Sequence, residues 1–120
     1  MTPFTHAKVS FIGGGHITEI LLEKLLKNTL TPAQITISSR GLERLNLLRN
    51  HFGVRIMQDN IKSVQQADFI FIAVRPNVIP TVIDELKSAS LAPHQIIISL
   101  SLFVGESMTW VGGGMDYLGR

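Results

Sequence analysis

The 120-residue chain contains no cysteine, which excludes disulfide bonds, thiolate catalysis and cysteine-based metal sites. Its longest apolar run, from Phe69 to Val74, is far too short to cross a bilayer, and residues 1–7 do not resemble a signal peptide. Strong charge is also lacking, because the formal net charge is only +2 and the basic residues are scattered. We therefore expect a cytoplasmic protein without a nucleic-acid or membrane partner.

A hydrophobic content of 45% supplies enough apolar side chains for a real core, although aromatic residues make up only 7%. The length suits one domain and is too short for two full domains. Three of the histidines, His6, His51 and His94, have neither the spacing of metal ligands nor a neighbouring carboxylate cluster. We therefore expect one small domain without a metal site.

A strand, a glycine turn, a helix and a second strand follow one another between Lys8 and Ser39. Gly13 lies where the chain must bend sharply out of the first strand, and Gly15 lies where the backbone must approach a pyrophosphate group. The helix that begins near His16 would direct its free N–H groups and its positive dipole end at that phosphate. The order predicts a dinucleotide-binding turn.

The motif alone is weak, because Thr18 occupies the third position of G-x-G-x-x-G, where glycine or alanine is usual. Its context supports it. Val9–Ile12 supplies an apolar strand, and apolar residues then recur at helical spacing at Ile17, Leu21 and Leu25. The prediction of a cofactor site therefore depends on the whole segment.

The residues after the second predicted strand, Ile35–Ser39, indicate which cofactor is preferred. An acidic residue there would bind the free 2′-hydroxyl of NAD, but no carboxylate occurs before Glu43. Arg40 can instead pair with the 2′-phosphate of NADP and stack on adenine. NADP is therefore the predicted cofactor and NAD a possible one. Two alternatives remain open: Arg40 as an ordinary surface residue, and Ser38 as a group that satisfies the turn backbone.

Strands and helices continue to alternate along the rest of the chain. The pattern predicts a helix over 42–52, a strand over 54–57, a short turn or helix over 59–67, a strand over 68–74, a helix over 78–86 and a strand over 95–100. Short connections between such elements predict an α/β fold, a Rossmann-like doubly wound parallel sheet in a single domain. Ligands of these sheets bind beyond the carboxyl ends of the strands.

The segment Asp59–Leu86, with Ala-Val-Arg-Pro at 73–76, closely resembles the coenzyme-binding domain of pyrroline-5-carboxylate reductases. The Phe-Ile-Gly-Gly-Gly turn and the Ser-Ser-Arg stretch agree with that family in order and spacing. The resemblance covers about residues 8–104. It implies an oxidoreductase domain that uses NADPH or NADH to reduce a cyclic imine, the last step of proline biosynthesis.

The resemblance also implies roles for individual residues. Gly13, Gly15 and the backbone at 16–17 match the pyrophosphate-binding turn, and residues 39–40 match positions around the 2′-phosphate. Asn60 matches an asparagine near the adenosine portion. Residues 73–76 match an Ala-Val-Lys-Pro strand end beside the cofactor, with Arg75 in place of lysine.

The predicted site contains only cofactor contacts and no acid or base catalyst. For His16, contact with the diphosphate and a solvent-facing helix start are equally supported. The predicted cofactor-binding residues are Gly13, Gly15, His16, Ile17, Ser38, Ser39, Arg40, Asn60, Ala73, Val74, Arg75 and Pro76.

The chain departs from the family in two respects. The family usually has Ser-x-Ala-Ala-Gly-Val after its fifth strand, beside the nicotinamide, whereas this chain has Phe103 in place of the glycine. Whether the loop at 101–103 accepts nicotinamide therefore stays open. The family also has a second, helical domain that dimerises and builds the imine pocket. We expect a tail at 1–7, an NAD(P)-binding domain at 8–104, and a linker or the start of a missing helical domain at 105–120.

These expectations leave three functional hypotheses. The leading one is an NADP-binding domain of a pyrroline-5-carboxylate reductase-like protein, which alone binds the dinucleotide but reduces little imine. The second is a non-catalytic nucleotide-binding or regulatory relative. The third is a reductase of another imine or of a β-hydroxyacid. The resemblance implies a homo-oligomer for the full-length relatives and a small-molecule imine as substrate when the helical domain is present.

Overall fold

The computed structural model describes residues 5–100, 107–111 and 114–118. The strands are β1 (Val9–Ile12), β2 (Ile35–Ser38), β3 (Arg55–Met57), β4 (Phe69–Ile72), β5 (Ile96–Ser99), β6 (Ser107–Val111) and β7 (Gly114–Leu118). The α-helices are α1 (His16–Asn28), α2 (Leu42–Phe52), α3 (Asn60–Val64) and α4 (Ile79–Ser88), and short 3-10 helices cover Pro32–Gln34 and Pro76–Val78.

All of the described strands belong to one sheet, in the order β3-β2-β1-β4-β5-β6-β7. The first five strands of that order are parallel, with helical crossovers between them. The chain moves outward from β1 to β3 and then returns to the other side of β1 to form β4. This confirms the predicted Rossmann-like α/β fold in a single domain, since a reversal of strand order beside β1 is the mark of a doubly wound sheet.

A β-hairpin occupies part of the segment for which we predicted a linker or the start of a helical domain. Strand β6 pairs antiparallel with β5, with Ile97 opposite Trp110, and β7 pairs antiparallel with β6. The segment has residue types that favour strands, such as Thr109 and Val111, and two glycines separate β6 from β7. Pairing with β6 also satisfies an edge of β5 that would otherwise lack a partner. The domain division itself stays a prediction.

The core lies on both faces of the parallel sheet. Successive side chains of a strand point to opposite faces, so Phe11 packs with Leu22 of α1 and Leu45 of α2, whereas Ile12 packs with Leu86 of α4. All five side chains are buried. Partial or complete burial on both faces explains why β4 and β5 read as almost continuous apolar runs.

The helix boundaries follow local signals in the sequence. Helix α2 ends at Gly53, whose φ of +77° is the left-handed cap conformation that glycine adopts without strain. Helix α4 buries the apolar side chains that recur at helical spacing, with Ile79, Val82 and Leu86 each at most 1% exposed. Within the described ranges, no helix is both long enough and apolar enough to cross a membrane.

Candidate cofactor-binding site

A cleft of about 320 Å³ opens at the carboxyl ends of β1, β2 and β4. This is the edge where parallel sheets of this topology bind ligands. Nine of the twelve predicted cofactor residues line it: Gly13, Gly15, Ser38, Ser39, Arg40, Asn60, Ala73, Val74 and Arg75. The structure therefore brings together loops that are far apart in the chain.

The other three predicted residues do not line the cleft. His16 is the exposed first residue of α1, and the side chain of Ile17 is 51% exposed on the same helix. Pro76 is exposed and begins the 3-10 helix after β4. His16 and Ile17 can therefore contribute through their backbone N–H groups at the start of α1, whereas their side chains point elsewhere.

Gly13 makes the bend out of β1. Its φ is +110°, and its N–H donates a hydrogen bond to the Ser38 carbonyl at 2.8 Å. A β-carbon here would overlap the carbonyl group of Ala73 at the end of β4. Glycine is therefore required both by the backbone angle and by the convergence of three strands on this position.

Thr18 explains how the turn forms without a third glycine. Its side chain is completely buried against the turn, and its hydroxyl donates a hydrogen bond to the Gly13 carbonyl at 2.7 Å. A buried hydroxyl must find such a partner. The departure from G-x-G-x-x-G is thus accommodated by a specific contact.

Gly15 is the N-cap of α1, and its carbonyl accepts the first helical hydrogen bond from the Glu19 N–H at 3.1 Å. Its φ of −82° is accessible to any residue. A β-carbon at Gly15 would have no protein atom within 4 Å. Protein packing therefore does not require glycine here, and the open space beside it fits the close approach of a phosphate group to the backbone.

Gly14 is held from α2 by Arg44, a residue that the sequence analysis did not select. Arg44 Nε donates to the Gly14 carbonyl at 2.5 Å, and Arg44 Nη2 donates to Glu19 Oε1 at 2.6 Å. The Arg44 hydrogen bond is the main reason why the pKa of the Glu19 carboxyl lies below its usual range, and the charge of Arg44 adds to it. The ion pair thus connects α1, α2 and the turn.

Asn60 joins the end of β2 to α4. The hydroxyl of buried Ser38 donates to Asn60 Oδ1 at 2.6 Å, and Asn60 Nδ2 donates to Glu85 Oε1 at 3.0 Å. The asparagine amide is therefore oriented from both sides. Ser38 lines the cleft, and its hydroxyl is bound to the Asn60 side chain and not to the turn backbone that the alternative interpretation named.

Two arginines lie on the exposed rim of the cleft. Arg40 follows β2, and Arg75 precedes the 3-10 helix after β4. Both side chains line the cleft and are exposed. The carboxylate among the lining residues is Glu85, which is bound to Asn60. This places positive charge at the rim and negative charge within, an arrangement that suits a phosphorylated ligand at the rim.

Five further residues line the cleft that the sequence analysis did not assign to the site: Ile12, Gly14, Val78, Val82 and Glu85. Val78, Val82 and Glu85 are four and then three residues apart, which is the spacing of one helix face. The sequence predicts a helix over 78–86 but does not indicate that one side of it borders the cleft. Arg44 had no comparable signal, because its partners lie on another helix and in the turn.

The predicted nicotinamide loop at 101–103 lies outside the described residues. The strand end that leads to it is described: Ser99 and Leu100 are half-buried, and the Leu100 N–H donates to the Ile72 carbonyl at 2.8 Å. Within residues 5–100 and the two described strands after them, no group of three or more histidine, aspartate or glutamate side chains could hold a metal ion.

Known proteins show the same fold and related sequences. A pyrroline-5-carboxylate reductase of Corynebacterium melassecola is 35% identical over 95 residues, which are 78% of this chain and 35% of that protein. The structure of a pyrroline-5-carboxylate reductase from Coxiella burnetii superposes with a TM-score of 0.74 and 32% identity, over 80% of this chain and 36% of the other. The Plasmodium falciparum pyrroline carboxylate reductase with NADP bound shares the fold, with a TM-score of 0.66 and 18% identity over 80% of this chain and 34% of the other.

The chain spans about a third of the length of the curated relatives it matches. These similarities confirm the resemblance to the coenzyme-binding domain of pyrroline-5-carboxylate reductases. Residues 8–102, which include all of the described cleft, match the family described as NADP oxidoreductase, coenzyme F420-dependent. The chain therefore belongs to this family of NADP oxidoreductases and carries its N-terminal NAD(P)-binding domain.

Proposed function

We propose that this chain is the NADP-binding domain of a pyrroline-5-carboxylate reductase-like enzyme, which transfers hydride from NADPH to a cyclic imine in proline biosynthesis. The observation that carries the proposal is the cleft at the carboxyl ends of β1, β2 and β4. The glycine turn and Arg40 line this one cleft, so a single extended dinucleotide can contact both.

The preference for NADP over NAD is argued from the end of β2. The hydroxyl of Ser39 and the guanidinium group of Arg40 lie where an NAD-binding domain needs a carboxylate for the ribose. Glu85 is engaged by Asn60 at 3.0 Å. A 2′-phosphate near Arg40 would gain a bidentate, charge-assisted partner.

The fit of the cofactor rests on two glycines. The open space beside Gly15 leaves room for a phosphate group at the N-terminus of α1, and the bend at Gly13 directs the chain into that helix. When bound, the nicotinamide cofactor supplies the hydride. The residues of this chain bind the cofactor and orient it, and the imine pocket belongs to other parts of the full-length relatives.

The proposal can be tested by calorimetric titration of the purified chain with NADPH and NADH in parallel. We expect tighter binding of NADPH, and we expect Arg40→Ala to remove most of this preference. A charge-assisted hydrogen bond contributes about 1.5–3 kcal/mol, so the loss should be roughly tenfold to hundredfold for NADPH. The affinity for NADH should change little, because NADH lacks the 2′-phosphate.

Arg49→Ala is the matched control, since Arg49 is exposed in the last turn of α2 and does not line the cleft. Equal losses in Arg40→Ala and Arg49→Ala would mean that general charge, and not a 2′-phosphate site, attracts the cofactor. Binding of neither dinucleotide by the wild-type chain would contradict the proposed function.

A further inference from the structure

The carbonyl groups of the glycine turn are held by side chains from two helices. Thr18 of α1 donates to the Gly13 carbonyl, and Arg44 of α2 donates to the Gly14 carbonyl. The second contact was not anticipated from the cofactor motif. Its consequence concerns the N–H groups that follow these carbonyls, because those groups would bind the phosphate.

In a trans peptide, the carbonyl of one residue and the N–H of the next point in opposite directions. The Gly14 carbonyl is directed at Arg44 on α2, so the Gly15 N–H is directed away from α2, toward the cleft that Gly14 and Gly15 line. Thr18 holds the Gly13 carbonyl in the same way, so the Gly14 N–H of that peptide points in the direction opposite to Thr18.

The two N–H groups that are oriented in this way have no hydrogen-bond partner within the described part of the protein. Gly13 N–H is used by the Ser38 carbonyl, whereas the N–H groups of Gly14 and Gly15 donate to no described atom. Successive free N–H groups in a turn form a concave site for an anion. This site adjoins the positive dipole end of α1.

We propose that Arg44 is a positioning residue for the phosphate-binding turn, which it orients through the Gly14 carbonyl while Glu19 holds its guanidinium group in place. This inference rests on the proposed function and deepens it. It assigns to an arginine outside the cleft the task of presenting the Gly15 N–H to the pyrophosphate of NADPH.

The guanidinium geometry explains why arginine suits this position. Its planar fork donates from Nε to the turn and from Nη2 to Glu19 at the same time. The two side chains are only 37% and 33% exposed, so their positions are restricted by packing. A lysine would keep the charge but has one compact ammonium group, which cannot reproduce the two divergent contacts.

The test compares a ligand that contains the pyrophosphate with one that lacks it. NADPH binding is measured by calorimetry, and binding of adenosine 2′-monophosphate by NMR titration. We expect Arg44→Met to weaken NADPH binding about tenfold, which corresponds to about 1.4 kcal/mol, and to change adenosine 2′-monophosphate binding less than about twofold. Arg44→Lys should resemble Arg44→Met, and the control Arg49→Met should bind both ligands as the wild type does.

Three results would overturn the inference. Unchanged NADPH affinity in Arg44→Met would mean that the contact has no role, and equal losses for both ligands would indicate a merely structural one. Wild-type affinity in Arg44→Lys would show that charge suffices without the fork geometry.

Glu19→Gln keeps Arg44 and removes the negative charge that holds its guanidinium group. This variant therefore tests the same inference if Arg44→Met does not fold. It should also weaken NADPH selectively, and unchanged NADPH affinity in this variant would contradict the inference. If the wild type binds adenosine 2′-monophosphate but not NADPH, the inference fails while the adenosine site remains. If the wild type binds neither, the proposed function fails.

Discussion

Three consecutive glycines follow β1, and each meets different surroundings. Gly13 has a positive φ and lies against the carbonyl of Ala73. Gly14 is buried, and a β-carbon there would lie 3.1 Å from Leu48 Cδ1. Gly15 is exposed and has open space beside it. The protein therefore requires glycine at the first position and leaves little room for a side chain at the second, whereas the third position is free for a ligand.

Because of this difference, we expect alanine to affect stability strongly at Gly13 and weakly at Gly15. Gly13→Ala should lower the free energy of unfolding by about 3 kcal/mol or more, because the methyl group meets backbone at a strained φ. Gly15→Ala should change it by about 1 kcal/mol or less. Gly15→Ala should nevertheless weaken NADPH binding, since its methyl group would occupy the space of the phosphate.

Urea unfolding of both variants and calorimetric titration of Gly15→Ala with NADPH test this prediction. Wild-type NADPH affinity in Gly15→Ala would contradict the assignment of the phosphate to this turn. A stable Gly13→Ala protein would show that β4 can withdraw from the turn.

At the scale of whole elements, one buried glutamine joins the end of α3 and the segment before β4 to the loop before β5. Gln95 precedes β5 and is 2% exposed. Its Nε2 donates to the carbonyls of Val64 and Ala67 at 2.7 Å each, and its Oε1 accepts from the Ala92 N–H at 2.7 Å. The side chain therefore satisfies the end of α3 and the loop before β5 together.

Gln95→Met should lower the free energy of unfolding by about 2–4 kcal/mol, although it preserves side-chain length. The reason is that each buried backbone group left without a partner costs about 1–3 kcal/mol. Gln65→Met is the matched control: Gln65 is exposed at the end of α3, and the change should stay within about 0.5 kcal/mol. Denaturant unfolding measures both, and equal stabilities would contradict the structural role of Gln95.

The order of the helices and strands was easier to predict from the sequence than the contacts within the site. Helix α4 was predictable from its apolar spacing, and the cap at Gly53 from its residue type. The contact between Asn60 and Glu85 was not, because it joins residues 25 positions apart on helices whose relative placement no local pattern specifies. The hairpin of β6 and β7 was also missed, since a glycine-rich segment fits a linker as well as a tight turn.

At the scale of the whole molecule, the strand order creates the site. Strand β1 lies between β2 and β4, so the loops that follow these three strands meet at one edge of the sheet. Helices pack on both faces of the sheet and leave that edge open. A ligand that spans the loops would therefore contact most of the described parallel sheet at once.

We expect the 120-residue chain to bind NADPH without appreciable reduction of pyrroline-5-carboxylate. A ligand that binds only the folded state at about 100 times its dissociation constant stabilises that state by about 2.7 kcal/mol, so NADPH should raise the melting temperature. NADPH absorbance should stay constant when the imine is added, because the chain spans only about a third of its curated relatives. Turnover by the purified chain would contradict this separation of binding from catalysis.

Local pattern was sufficient to identify the fold, the cofactor class and most of the cleft, because hydrophobic periodicity and glycine spacing are properties of short segments. The contacts of Arg44 with Gly14 and Glu19 depend on residues 30 and 25 positions apart. They form only when α1 and α2 pack side by side on the same face of the sheet. The direction of the Gly14 carbonyl in the glycine turn is therefore a product of tertiary packing, because a side chain of α2 holds it, whereas the Gly13 carbonyl is held by Thr18 only five residues along the chain.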